Sequence, residues 1–152
     1  MNKPVGAYRP IVRAGDWLVV SGQIGLKDGH LIGGGFRDEV AQSLANLAGL
    51  LEGEGASLAD VVKTTVYLRH MGDYGILNEV WLEHFGDDVP ARAAVAVSEL
   101  PLHALVEIDG PEVPIMDGSA APFVAAIEQA GIVSLHEARR YIKVLKPVRV
   151  AK

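Results

Sequence analysis

The sequence predicts an α+β domain in which one mixed six-stranded sheet carries two helices on a single face. Three observations predict it. Short runs rich in valine and alanine, bounded by glycine and proline, recur along the first 110 residues. Between them lie two stretches with apolar residues at helical spacing. The chain is 152 residues long with no cysteine, so one hydrophobic core, without disulfides or thiolate metal sites, must hold it together.

The elements follow in order. Val12 to Gly22 reads as a short strand, a turn at Ala14-Gly15-Asp16 and the apolar run Trp17-Leu18-Val19-Val20. A further strand at His30-Leu31-Ile32 follows the Lys27-Asp28-Gly29 turn, and Gly33-Gly34-Gly35 interrupts the pattern. A helix over roughly Arg37 to Glu54 lines up Val40, Leu44, Leu47 and Leu51, and Gly53 and Gly55 close it. Ser57 and Asp60 suggest a capped turn before a strand from Val61 to His70, with Val62, Thr64, Val66 and Leu68 on one face. A second helix, Tyr74 to Phe85, stacks Tyr74, Leu77, Trp81 and Phe85 inward, and Pro90 forbids its continuation. Ala91 to Ser98 and Ala104 to Asp109 then read as two strands whose linker has the length of a hairpin loop.

The resulting order, βββ-α-β-α-ββ, fits one sheet with both helices on one side, leaving the other side bare for a second copy. Pro111 and Pro114 end the pattern. The chain is therefore divided into a domain over residues 1–110 and an extension over 111–152, with capped helices beginning at Ser119 and Ser134. Residues 1–131 carry 8 Lys and Arg against 18 Asp and Glu, whereas 132–152 carry 6 against 1. The acidic body argues against nucleic acid as a partner. No segment has the length and apolarity of a membrane span, and the first ten residues lack a signal peptide's apolar region, so the cytoplasm is expected.

Two charges interrupt apolar strands, Arg92 and Glu107. Such residues are paired, solvated or in use. If Ala94 lies opposite Glu107, Arg92 and Glu107 share a face; a slip of one residue separates them. They are either a structural pair or an anion-binding arginine beside a general acid/base. Ser21, Gly22 and Gln23 end a buried strand, Tyr8 sits in the leading segment, and Asn78 occupies a helix interior that propensity disfavours. The histidines show no metal-ligand spacing, and the triple glycine lacks the residues of a phosphate loop or dinucleotide fingerprint, so neither metal nor cofactor is expected.

Gly6-Ala7-Tyr8, Val19-Val20-Ser21-Gly22-Gln23, Gln42-Ser43-Leu44-Ala45-Asn46-Leu47, Val61-Val62-Lys63-Thr64-Thr65-Val66, Asn78, Pro90-Ala91-Arg92 and Leu105-Val106-Glu107-Ile108 together resemble the RidA family, also called YjgF or endoribonuclease L-PSP. The match spans about Pro4 to Asp109. The resemblance implies a chorismate-mutase-like homotrimer whose sheets form an inner barrel, with sites in the clefts between subunits. It further implies hydrolysis of 2-imino acids and their enamines to 2-keto acids and ammonia without a cofactor. By resemblance Arg92 grips the substrate carboxylate, Glu107 positions or activates water, and Tyr8, Ser21 and Asn78 line the pocket, with backbone groups of Gly22 and Ala94 completing it. The chain departs from the family at Ala7, Arg9 and Ala94, the last standing where a cysteine is common. A 2-keto acid-binding regulator and an RNA-cleaving translation inhibitor are the alternative functions.

Overall fold

The structure is a computed structural model and describes residues 5–114. Its elements are β1 (Ile11–Ala14), β2 (Trp17–Val20), β3 (Leu26–Lys27), β4 (His30–Leu31), α1 (Phe36–Glu52), β5 (Lys63–Leu68), α2 (Tyr74–Phe85), β6 (Ala91–Ala96) and β7 (Val106–Pro114). The helices and most strands fall where hydrophobic periodicity predicts them. None of the described helices is long and apolar enough to cross a membrane.

The sheet departs from expectation in three ways. Five strands, in the order β1-β2-β7-β5-β6, form the main sheet, while β3 and β4 pair only with each other. The predicted sixth strand, at His30, is thereby drawn into a separate two-stranded ribbon, which is tied down where Ile32 N–H donates to the Gly25 carbonyl at 2.9 Å.

β6 and β7 also form no hairpin, because β5 lies between them, parallel to β6 and antiparallel to β7. A strand, a crossover helix and a parallel strand make a compact unit, so α2 delivers β6 beside β5. The connection to β7 then crosses the end of β5, where Val97 N–H donates to Leu68 and Arg69 N–H to Leu105.

The third departure is the length of β7, which runs to Pro114. Its register on β5 shifts between Lys63, opposite Glu112, and Thr65, opposite Asp109. Gly110 and Pro111 thus oppose Thr64 alone, and such a bulge accommodates a residue with no N–H to donate. The proline that was expected to end the pattern is absorbed by it. The helices expected from Ser119 and Ser134 lie outside the described residues.

Both helices pack on one face of the sheet around a core of Leu18, Val20, Val40, Leu44, Leu47, Leu51, Val66, Leu68, Leu77, Val80, Val106 and Ile108, each at most 1% exposed. Alternation along the strands sends Val19, Tyr67, Val95, Glu107 and Asp109 to the reverse face. Part of that face is covered by a smaller cluster, Ile24, Leu26, Leu100 and Ala104, against which Tyr67 packs. Elsewhere on that face, among the described residues, Val12, Val19 and Val95 are exposed.

Candidate active site in two halves

Arg92 and Glu107 point away from each other. Arg92 is registered with Thr64, whose side chain is buried on the helical face, and Glu107 with Tyr67 on the reverse face. Positions 64 and 67 of one strand differ by an odd number, so their partners lie on opposite sides of the sheet. Neither register weighed for a hairpin applies, since the two strands are not neighbours.

On the helical face the guanidinium of Arg92 is cradled by α2. Its carbon lies 4.8 Å from the Trp81 ring centroid and 5.5 Å from that of Tyr74. Such faces hold a partly desolvated cation through the ring quadrupole. Nη2 donates to the Asn78 side-chain oxygen and, at 3.4 Å, to the Tyr74 hydroxyl. Nη1 is buried with no acceptor, as are the nearby Thr64 Oγ1 and Trp81 Nε1. Arg92 has no carboxylate partner among the described residues. Tyr74, Asn78, Trp81, Leu82, Val89, Pro90 and Arg92 line a cavity of about 440 Å³. An unpaired guanidinium at its wall offers a fork for a planar anion.

On the reverse face Glu107 opens into a cavity of about 480 Å³ together with Tyr8, Ser21, Gly22, Ile24, Pro101 and Asp109. Burial above all, and then the like charge of Asp109, push its carboxyl above the ordinary glutamate range. Gly22 allows this fit: a Cβ added there would stand 2.1 Å from Glu107 Oε1. The backbone at this point is held by reciprocal bonds between Gln23 and Ile108, 2.8 and 2.9 Å long. The Ser21 hydroxyl donates to the Arg9 carbonyl at 2.7 Å, fixing the leading segment that carries Tyr8.

The residues singled out in the sequence are therefore divided. Tyr8, Ser21, Gly22 and Glu107 share one cavity, and Arg92 and Asn78 the other. Ala94 lies two residues along from Arg92 on the helical face, packed on the core, and lines neither of these cavities. Sequence reasoning missed Asp109, two residues from Glu107 and hence on its side of the strand. It also read Tyr74 as inner packing, and gave Trp81, which is buried in the core as expected, no part beside Arg92. Their spacing of four and three from Asn78 puts all three on one helical stripe, the available signal for a shared role. Tyr74 is 41% exposed rather than inward.

The model of the family described as endoribonuclease L-PSP matches residues 1–111. A second model, for UDP-3-O-acyl N-acetylglycosamine deacetylase, matches residues 92–152, less than half of the chain. A RutC family protein of Pyrococcus horikoshii is 45% identical over 109 residues, covering 70% of this chain and 86% of that protein. A 2-iminobutanoate/2-iminopropanoate deaminase of Rattus norvegicus is 40% identical over 107 residues, covering 69% and 78%. Among solved structures, RidA from the Antarctic bacterium Psychrobacter superposes with a TM-score of 0.70 at 36% identity, covering 74% of this chain and 92% of that one.

Proposed function

The chain belongs to the endoribonuclease L-PSP family, and from that premise we propose that it hydrolyses 2-imino acids and their enamine tautomers to 2-keto acids and ammonia, at a site shared by neighbouring copies of itself. The observation that carries this reading is the division of the polar residues: an unpaired guanidinium in one cavity and a desolvated carboxyl in another, on opposite sides of one sheet. One copy offers each half, and a closed ring of identical chains apposes the Arg92 half of one copy to the Glu107 half of the next. A homotrimer closed through the open sheet face, as the family resemblance implies, is the assembly we propose, in the cytoplasm and without a cofactor.

In this site Arg92 donates two hydrogen bonds to the substrate carboxylate, leaving the imine carbon directed towards the Glu107 cavity. A protonated imine is already electrophilic. Glu107 takes a proton from water as its oxygen bonds to that carbon, and the π pair of the carbon–nitrogen bond moves to nitrogen. The same carboxyl returns the proton to nitrogen, and the carbinolamine expels ammonia as its hydroxyl closes to the ketone, the hydroxyl proton passing to Glu107 and from it to the departing ammonia as ammonium. A carboxyl pushed upward by burial is suited to both transfers near neutral pH. Tyr8, Ser21 and the bare backbone of Gly22 bound the space around the water, while Asn78, Tyr74 and Trp81 orient the guanidinium. Two carboxylates in one half-site oppose the phosphates that an RNA-cleaving role requires.

The test is to generate a 2-imino acid in solution and follow keto-acid release. The protein is expected to accelerate release over buffer, and Arg92→Ala to lower kcat/KM by about a hundredfold or more. Release no faster than in buffer, or an Arg92→Ala protein as fast as wild type, overturns the reading. Saturable 2-keto acid binding without turnover supports a regulator instead.

A further inference from the structure

We propose that Glu39, on α1 and outside both cavities, is a positioning residue that sets the geometry of Glu107 through the backbone at the start of β7. This rests on the reading of Glu107 as the acid/base, and it names the residue on which that role depends.

Glu39 is a carboxylate only 6% exposed, and its Oε2 accepts the Leu105 N–H at 2.8 Å, from a residue 66 positions away. Among the described residues it has no cationic partner. Burying an acid with one such bond costs stability, so its presence here points to a role beyond packing. Leu105 immediately precedes β7, and its carbonyl accepts Arg69 N–H at 3.0 Å, so both its backbone groups are held. Glu107 follows two residues later on the same strand.

The segment before Leu105 needs holding. Leu102 and His103 adopt left-handed backbone angles, with φ of 56° and 61°, which residues with a Cβ rarely do. Pro101, one residue earlier, forms a wall of the Glu107 cavity. Without the Glu39 bond this turn loses one of the contacts that fix it to the start of β7, and the cavity wall and the carboxylate lose that support.

The opposite wall converges on the same helix. A Cβ at Gly25 would stand 2.9 Å from Glu39 Cα, so the segment that contains Ser21, Gly22 and Ile24 passes against Glu39 itself. Asn46, further along α1, donates to the carbonyls of Ile24 and Leu26 at 3.0 and 2.9 Å. One helix therefore grips both flanks of the cavity from behind, Asn46 on one and Glu39 on the other.

Glu39→Ala, Glu39→Asp and Glu39→Gln test the proposal. Removing the acceptor (Ala), or shortening its reach (Asp), should lower kcat about tenfold while KM, set by Arg92, changes less than about twofold. Glu39→Gln retains an acceptor oxygen and should stay within about twofold of wild type in both. In parallel, NMR titration of the Glu107 carboxyl should show its pKa returning towards the ordinary glutamate value in the Ala and Asp proteins but not in Gln. This arm needs no turnover, so it decides the role of Glu39 even if wild type proves inactive towards imines. Should Glu39→Ala fail to fold, the Asp variant carries both measurements. Variants that melt earlier yet keep wild-type kcat and an unchanged Glu107 titration would overturn the proposal.

Discussion

The two cavities use different means to hold a charge out of bulk water. Around Arg92 the work is done by side chains of α2: two aromatic faces and an amide oxygen surround the guanidinium. Around Glu107 it is done largely by main chain, with a glycine against the carboxylate and a bridge between Gln23 and Ile108, while the Asp109 side chain adds a like charge. The aromatic cradle suits a cation and leaves Arg92 charged and ready for an anion. The glycine-walled pocket penalises an anion and leaves Glu107 with an affinity for protons. On the proposed reading one half binds and the other exchanges a proton, and because they lie on opposite faces of the sheet one chain would not complete both tasks on one substrate.

The largest effect that can break this comparison comes from mixing two crippled proteins. Arg92→Ala and Glu107→Gln are each expected to lose activity by about a hundredfold. After dissociation and joint reassembly, about a quarter of the interfaces in a ring pair an intact Arg92 with an intact Glu107. Turnover should return to about that fraction of wild type. If none returns, the halves are not joined across copies.

A smaller effect sharpens the role of main chain. Gly22→Ala puts a methyl where Glu107 Oε1 now lies, and the obstructing atoms belong to a side chain that can swing aside. The fold should therefore survive, with a melting temperature within about 2 °C of wild type, while kcat falls about tenfold. A kcat equal to wild type would show that Glu107 does not need this approach.

The smallest effect concerns stability. A carboxyl raised in the folded protein favours folding while it is protonated. That contribution is present below the ordinary glutamate pKa of about 4.3 and is lost as pH rises through the folded value. At pH 7 the ionised Glu107 is a burden, so Glu107→Gln should melt about 2 °C higher than wild type, and the gap should close towards pH 4. A gap that does not change with pH would separate the effect from ionisation. The same substitution thus removes activity and adds stability, which is expected where a charge is kept for function.

Much of this was legible in the sequence because it is local. Helical periodicity located α1 and α2, and charges inside apolar strands drew attention to Arg92 and Glu107. Strand order was not legible, because it depends on contacts far apart in sequence. The linker read from the sequence, Glu99 to His103, has a hairpin's length, yet β6 is parallel to β5 after the α2 crossover, and β7 comes back along β5's other edge. Misreading that one neighbour misplaced the relation between the two key residues. Trp81 is the core position its spacing predicts, but its contact with Arg92, like that of Tyr74, shows only once the strand that carries Arg92 is known to lie beneath them. Pro111 looked like a terminator because a bulge depends on the partner strand's register, which no single segment reveals.

The order of the sheet has one further consequence. β7 has a hydrogen-bonded neighbour on each side, whereas among the described residues β6 is an outer strand bonded only to β5. Local opening costs less at a sheet margin than at its centre. On the reading proposed above, the binding group Arg92 rides on the more easily opened margin of the described sheet and the proton-handling Glu107 on an inner strand, so substrate capture has more backbone freedom than proton transfer.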